Sequence, residues 1–279
     1  MPLDTSSYSL ALLRVDGRRW NDLRRIQARL RTQDASDGSS YLEIGHTKVM
    51  CVVSGPEELL LRRGAGAGGG GGGGGGVGSE AEAAVVVNIV VAGFAAVDRK
   101  RRGRNDRRIQ EMEITVAKTL SAAIHTHLFP HSTITISLHV LSSDGSLLAA
   151  LLNASTLALI DAGVPMADYV VACTSGLTTT TTTTTPDDSI DPLLDLNAQE
   201  ELELPFLTVA TLGEGDGVAA LLCESRVHVD RLEGLLAVGL EGCRQVRALL
   251  DRVVRERGEG MIREGVVPGG DALGGELHG

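Results

Sequence analysis

The sequence predicts an α/β (α+β) fold built around one compact domain, and three stretches carry that prediction. Residues 131–141, HSTITISLHVL, alternate apolar and polar side chains, which puts Ile134, Ile136, Leu138 and Val140 on one face of a strand. From Arg108 the spacing changes to three and four residues, through Ile109, Met112, Val116, Leu120, Ala123 and His127, the stripe of an amphipathic helix. The same spacing returns after Asp230, in Leu235, Leu236, Leu240, Cys243, Val246, Leu250 and Val253. Sheet and helix periods in one chain predict sheets partly covered by helices.

The elements follow in order. Residues 39–56, SSYLEIGHTKVMCVVSGP, end in a strand-like run that Gly55-Pro56 is expected to stop. Residues 83–94, AAVVVNIVVAGF, form a nearly continuous apolar run, as in a strand buried on both faces. The helix from Arg108 and the strand at 131–141 come next. A second helix is expected from about Gly145 to Asp161, closed by Gly163 and Pro165. The last helix starts at an Asp230 N-cap with Glu233 three residues on. Two low-complexity inserts interrupt this pattern: a glycine-rich stretch at 64–79 and eight threonines from 178, with an acidic continuation to 190. Such stretches bury too little surface to offset their ordering entropy and are expected to be loops. The domain is therefore placed at 12–257, followed by a disordered tail at 258–279.

Composition narrows the function. Of 279 residues, 43% are apolar, enough for a proper core, but only 3% are aromatic, so Leu, Val, Ala and Ile must build it. A net charge of −10 argues against general nucleic-acid affinity and leaves only a local basic patch for that role. Cys51, Cys173, Cys223 and Cys243 lie in apolar surroundings without CxxC spacing, which predicts reduced core residues of an intracellular protein, not a zinc site or disulfide framework. Neither a secretory leader nor an 18-residue apolar run is evident, so secretion and membrane spanning are not expected.

Four features bear on chemistry. The segment 98–108, DRKRRGRNDRR, sets seven basic side chains against two acidic ones, and its last arginines, Arg107 and Arg108, fall where a helix begins. A helix N-terminus with guanidinium forks is a seat for phosphate; a solvated loop or an import-like basic run is the plainer reading. Arg62 and Arg63 flank the glycine insert and can join the same surface. Carboxylates gather at Asp191, Asp195, Glu200, Glu201 and Glu203, suited to acid–base work or Mg²⁺, or simply solvated. His125 and His127, two apart, do not share a helix face, and no metal or cofactor is expected. Finally, the junction VLSSDGSLL at 140–148 has the strand–turn–helix form of a phosphate loop, yet its helix opens with Leu147 and Leu148.

Four blocks then occur in a recognisable order: RVDGRRWNDLRRIQARL (14–30), SYLEIGHTKVMCVVSGPEE (40–58), RKRRGRNDRRIQEMEI (99–114) and VLSSDGSLLAALLNASTLALIDAGVPM (140–166). Together they resemble the RNase PH family, and within it the RNA exosome ring subunits whose archaeal counterpart is the catalytic ring member. The resemblance spans 12–257 outside the two inserts. It implies an RNase PH-like fold with two related βαβ-type halves, assembled into a six-membered ring. It also implies phosphorolysis in active members, in which phosphate attacks the last phosphodiester of RNA and a nucleoside diphosphate leaves.

The same resemblance supplies positions to test. One phosphate-holding arginine of the family is in register with Arg108. The other belongs to a Gly-Ser/Thr-Arg triplet matched to Ser146-Leu147-Leu148, which puts Leu148 in the arginine's place. The family's first catalytic acid matches Glu201, and the second, six residues on, falls at Leu207. Loss of a preorganised donor typically costs about 10²–10³ in rate. These departures predict a chain that is not itself an enzyme, with Leu148, Glu201 and Leu207 as degenerate positions and no catalytic residue. RNA gripping is expected from Arg62, Arg63, Arg99, Lys100, Arg101, Arg102, Arg104, Arg107 and Arg108 through the phosphate backbone. The expected partners are single-stranded RNA, other RNase PH-like subunits in a hetero-hexameric ring, RNA-binding cap subunits and a separate processive nuclease. The expected locations are nucleus, nucleolus and cytoplasm. A surviving phosphate-dependent exoribonuclease and a purely structural ring scaffold remain as alternatives.

Overall fold

The computed structural model describes residues 14, 16–58, 82–96, 99, 106–178, 192–215 and 217–264. Within them β1 (Ile26–Leu30), β2 (Gly38–Ile44), β3 (Thr47–Glu58), β4 (Ala84–Val91) and β5 (Ser132–Ser142) form one sheet in the order β1-β2-β3-β5-β4. A second sheet holds β6 (Val170–Leu177), β7 (Pro192–Leu194), β8 (Phe206–Leu212) and β9 (Val218–Cys223) in the order β7-β6-β8-β9. The helices are α1 (Arg107–Ala123), α2 (Leu147–Asp161), α3 (Ala198–Glu203) and α4 (Val229–Glu264). The mixed α/β class is as the sequence predicts.

α1 carries the chain from β4 to β5, which pair in parallel, because a parallel pair needs a crossover. That βαβ unit belongs to the first sheet; the second sheet's pairings, β6 with β7 and β8 and β8 with β9, are all antiparallel. The alternation at 131–141 translates directly: Ile134, Ile136, Leu138 and Val140 of β5 are fully buried. α1 turns Ile109, Met112, Val116, Leu120 and Ala123 into the same core.

α2 lies between the sheets, touching β2 and β3 on one side and β6 on the other. Every residue from Leu148 to Leu159 is buried, as expected of a helix apolar around its circumference. Its polar side chains are consumed by backbone. Asn153 donates to Ala172 O at 2.9 Å and accepts from Ala172 N–H at 2.8 Å, and Thr156 donates to Val170 O at 2.7 Å. These bonds remove the penalty of burying unpaired polar groups and tie the helix to β6.

Several expectations are corrected. β3 does not stop at Gly55-Pro56 but continues to Glu58, across a break in pairing register between Ser54 and Glu57; proline is tolerated where the ladder is already interrupted. The apolar run at 83–94 is not doubly buried. β4 is an edge strand, with Val86 42% and Val90 53% exposed and Val87 and Ile89 turned inward. Its length of apolar sequence could not reveal which face lacks a cover. α4 continues through Glu264, past the 257 boundary. The glycine insert and the threonine insert from 179 lie outside the described residues. His125 and His127 do meet, with ring centroids 5.5 Å apart, because the chain there adopts a 3-10 turn instead of an α-helix.

Candidate active site

The strand–turn–helix junction is the centre of the site. Gly145 and Ser146 both take left-handed backbone conformations, φ +77° and +50°, to turn from β5 into α2. At Gly145 a side chain is excluded as well: a Cβ would sit 2.5 Å from Leu196 O, 2.5 Å from Asn197 C and 2.7 Å from Ala198 N. The turn is thus pressed against the backbone that leads into α3. Thr47, at the start of β3, braces it from the other side, donating to Gly145 O at 2.8 Å and accepting from Asp144 N–H at 3.0 Å.

This packing brings one acid to the head of α2. The Ser146 N–H donates to Glu201 Oε1 at 2.5 Å, where the unpaired N–H groups of a helix start favour negative charge. Burial pushes the Glu201 carboxyl above the usual carboxylate range. The Ser146 N–H and the charges of Arg24 and Arg108 pull it down without cancelling the rise, and Glu224 adds to it. Glu201 therefore gives up its proton less readily than a free glutamate.

A second acid is locked. Asp195, itself at φ +52°, accepts from Arg24 N–H at 2.9 Å, from Arg24 Nε at 3.0 Å and from Arg24 Nη2 at 2.7 Å. The Ser146 hydroxyl is shared between Asp195 Oδ1 at 3.0 Å and Leu196 O at 3.1 Å. Burial raises the Asp195 carboxyl, but the Arg24 guanidinium outweighs it and holds the group below its ordinary value. Arg24 also donates to the Asp144 and Gly145 carbonyls. Two further arginines from the same N-terminal stretch complete the clamp. Arg14 donates to Glu200, Leu194 O and Asp195 O, and Arg18 to Asp195 O and Asn197 Oδ1 at 3.0 Å each.

Of the expected site residues, Glu201 and Arg108 converge. Arg108 opens α1 behind the Asp106 N-cap, whose carboxylate accepts its N–H at 3.2 Å, and its half-exposed guanidinium lies 3.7 Å from Glu224. Arg107 is turned outward and pairs with Glu111 at 3.1 Å. Arg99 is exposed at φ +48°. Arg62, Arg63, Lys100, Arg101, Arg102 and Arg104 lie outside the described residues.

Leu148 and Leu207, the positions expected to have lost their working side chains, are both buried apolar residues. Leu148 is 8% exposed within the main core. Leu147, next after the Gly145-Ser146 turn, is half-buried. No arginine stands at either position. Leu207 is fully buried in β8 with Leu177, Val209 and Leu235. Sequence reading missed Arg24 and its pairing with Asp195, which spans 171 residues and leaves no local spacing to detect.

Comparison with known proteins bears on the family and the fold. The model of the 3′ exoribonuclease family, domain 1, matches residues 22–165, and that of domain 2 matches residues 168–242. The exosome complex component ski6 of Schizosaccharomyces pombe is 37% identical over 248 residues, covering 89% of this chain and 93% of that protein. The exosome complex component RRP41 of Homo sapiens is 39% identical, covering 92% and 95%. Among solved structures, rice Rrp46 superposes with a TM-score of 0.69 at 22% identity, covering 86% of this chain and all of that one. An Archaeoglobus fulgidus exosome with RNA bound to the active site gives 0.66 at 20%, covering 88% and 95%.

These matches overturn the expectation of a chain that is not an enzyme. That expectation rested on Leu148 and Leu207, which are core residues, whereas the family description and the named relatives point to an exoribonuclease. With both domain models matched in order and relatives at 37–39% identity along about nine-tenths of its length, the chain belongs to the RNase PH-type 3′ exoribonuclease family.

Proposed function

We propose that this chain is a core ring subunit of an RNA exosome and takes part there in phosphate-dependent 3′→5′ removal of nucleotides. The observation that carries the reading is the Glu201 carboxyl, half-buried, raised in pKa and held on the Ser146 N–H at the head of α2, within the field of Arg108. Phosphate is seated by Arg108 and by the N–H groups at the start of α2, which precede the first internal bond from Ala150 N–H to Ser146 O. One phosphate oxygen attacks the phosphorus of the last phosphodiester. The bond to the preceding 3′ oxygen breaks, a nucleoside diphosphate leaves, and the shortened RNA keeps the 3′ oxygen. Glu201 is the group placed to protonate that oxygen. Without an arginine at the α2 head the step lacks one charged donor, at a cost of about 10²–10³ in rate.

The remaining assignments follow from the same reading. Related RNase PH-like subunits complete the ring, cap subunits admit single-stranded RNA, and a separate processive nuclease takes substrate that the ring passes on. The basic run at 98–108 has the composition of a phosphate-backbone contact and of an import signal, which supports placement in nucleus, nucleolus and cytoplasm. The test is the reconstituted ring given RNA and inorganic phosphate. Slow release of nucleoside diphosphate, lost in Glu201→Gln, is the expected result. A ring that degrades nothing, or whose rate is untouched by Glu201→Gln, overturns the proposal.

A further inference from the structure

We infer that Asp195, clamped by Arg24, is a positioning residue that fixes the Gly145-Ser146 turn and thereby sets Glu201 against the head of α2. The inference rests on the exoribonuclease reading only for its kinetic consequence. Its geometry is independent. Among the described residues, Asp195 is the side chain that bonds both the Arg24 guanidinium and the Ser146 hydroxyl. Arg24 in turn reaches over the turn to the carbonyls of Asp144 and Gly145. Three non-helical backbone positions, Gly145, Ser146 and Asp195, lie at positive φ inside this cluster. Residues in such conformations persist only where their surroundings over-determine them. Here the over-determination is a closed circuit: Arg24 to Asp195, Asp195 to Ser146, Ser146 to Glu201, with Arg24 returning to the turn itself.

A carboxylate is suited to this role where an amide is not. Asp195 accepts from four donors, three on Arg24 and one on Ser146, and an ionised carboxylate presents only acceptors. An asparagine would turn an NH₂ group onto Arg24 donors in either orientation, and in one of them onto the Ser146 hydroxyl as well. The turn would then loosen at Ser146, whose N–H carries Glu201. A displacement of about 1 Å at a reacting group costs on the order of 10²-fold in rate.

The experiment uses the full chain and the reconstituted ring, with Asp195→Asn and, as a milder change, Arg24→Lys, which keeps the charge but loses the fork. Hydrogen exchange of the segment containing Ser146 and Leu147 reads the geometry directly. Exchange at Ser146 is expected to speed at least tenfold in both variants, with β3 and β5 unchanged. In the ring, kcat for phosphate-dependent nucleotide release is expected to fall about 10–100-fold while the KM for RNA stays within twofold. Unchanged protection at Ser146 overturns the inference, as does loss of protection spread uniformly over β3 and β5. If the wild-type ring releases no nucleoside diphosphate, the catalytic reading fails, and the exchange result alone still decides whether Asp195 holds the turn.

Discussion

Replacing Gly145 by alanine tests the close approach on which the site depends. Two costs add. The residue stands at φ +77°, where a side chain costs roughly 1–2 kcal/mol. Its new Cβ would also lie 2.5–2.7 Å from three backbone atoms of residues 196–198, and overpacking of this kind costs about 1–3 kcal/mol. The sum is about 2–5 kcal/mol, or a fall in Tm of roughly 4–20 °C at about 2–4 °C per kcal/mol for a domain of this size. Gly163 is the internal control: it stands at φ +71°, but a Cβ added there would meet nothing within 4 Å, so Gly163→Ala should show only the first cost. Differential scanning calorimetry of the two variants separates the effects. Gly145→Ala should also open the loop at 196–198 and lose nucleotide release even at temperatures where it is folded. Equal Tm losses in the two variants would refute the claim that the turn is wedged against the α3 approach.

Three further outcomes are expected. Glu201→Gln should abolish activity yet raise stability at neutral pH. A carboxyl with raised pKa makes the fold bind protons more tightly than the unfolded chain, so wild-type stability declines as pH rises above about 4.3, the ordinary glutamate value; a melting series at pH 4 and pH 7 checks that the variant's advantage appears only at the higher pH. Leu207→Ala should cost about 2–5 kcal/mol as a core truncation, while the folded fraction keeps its turnover; selective loss of turnover in denaturant-matched samples would return Leu207 to the site. Arg108→Gln should weaken phosphate binding in steady-state kinetics. If Arg108 also contacts the RNA backbone, the slope of log affinity against log salt should fall by about 0.7.

Periodicity revealed those parts of the fold whose burial is one-sided and local. The alternation of β5 and the three- and four-residue steps of α1 record a single buried face, so Ile134, Ile136, Ile109 and Met112 could be placed from spacing alone. β4 could not, because Val86 and Val90 are as apolar as Val87 and Ile89. Only the tertiary packing shows which face of that strand lacks a cover. The burial of Leu207 likewise comes from the fold, because offset along the chain stops predicting direction once a helix, a turn and a new strand intervene.

The sequence by itself determined the α/β class, the strand–turn–helix junction at Asp144-Gly145-Ser146, the absence of an arginine behind it, and Glu201 and Arg108 as candidates. Tertiary structure decided what those residues do. It brought Arg24 onto Asp195 across 171 residues, set the Ser146 N–H on Glu201 and partly buried that carboxyl, which raises its pKa. The physical reason is that residue identity fixes which groups can carry charge or donate a proton, whereas burial and the nearest opposite charge fix whether they do.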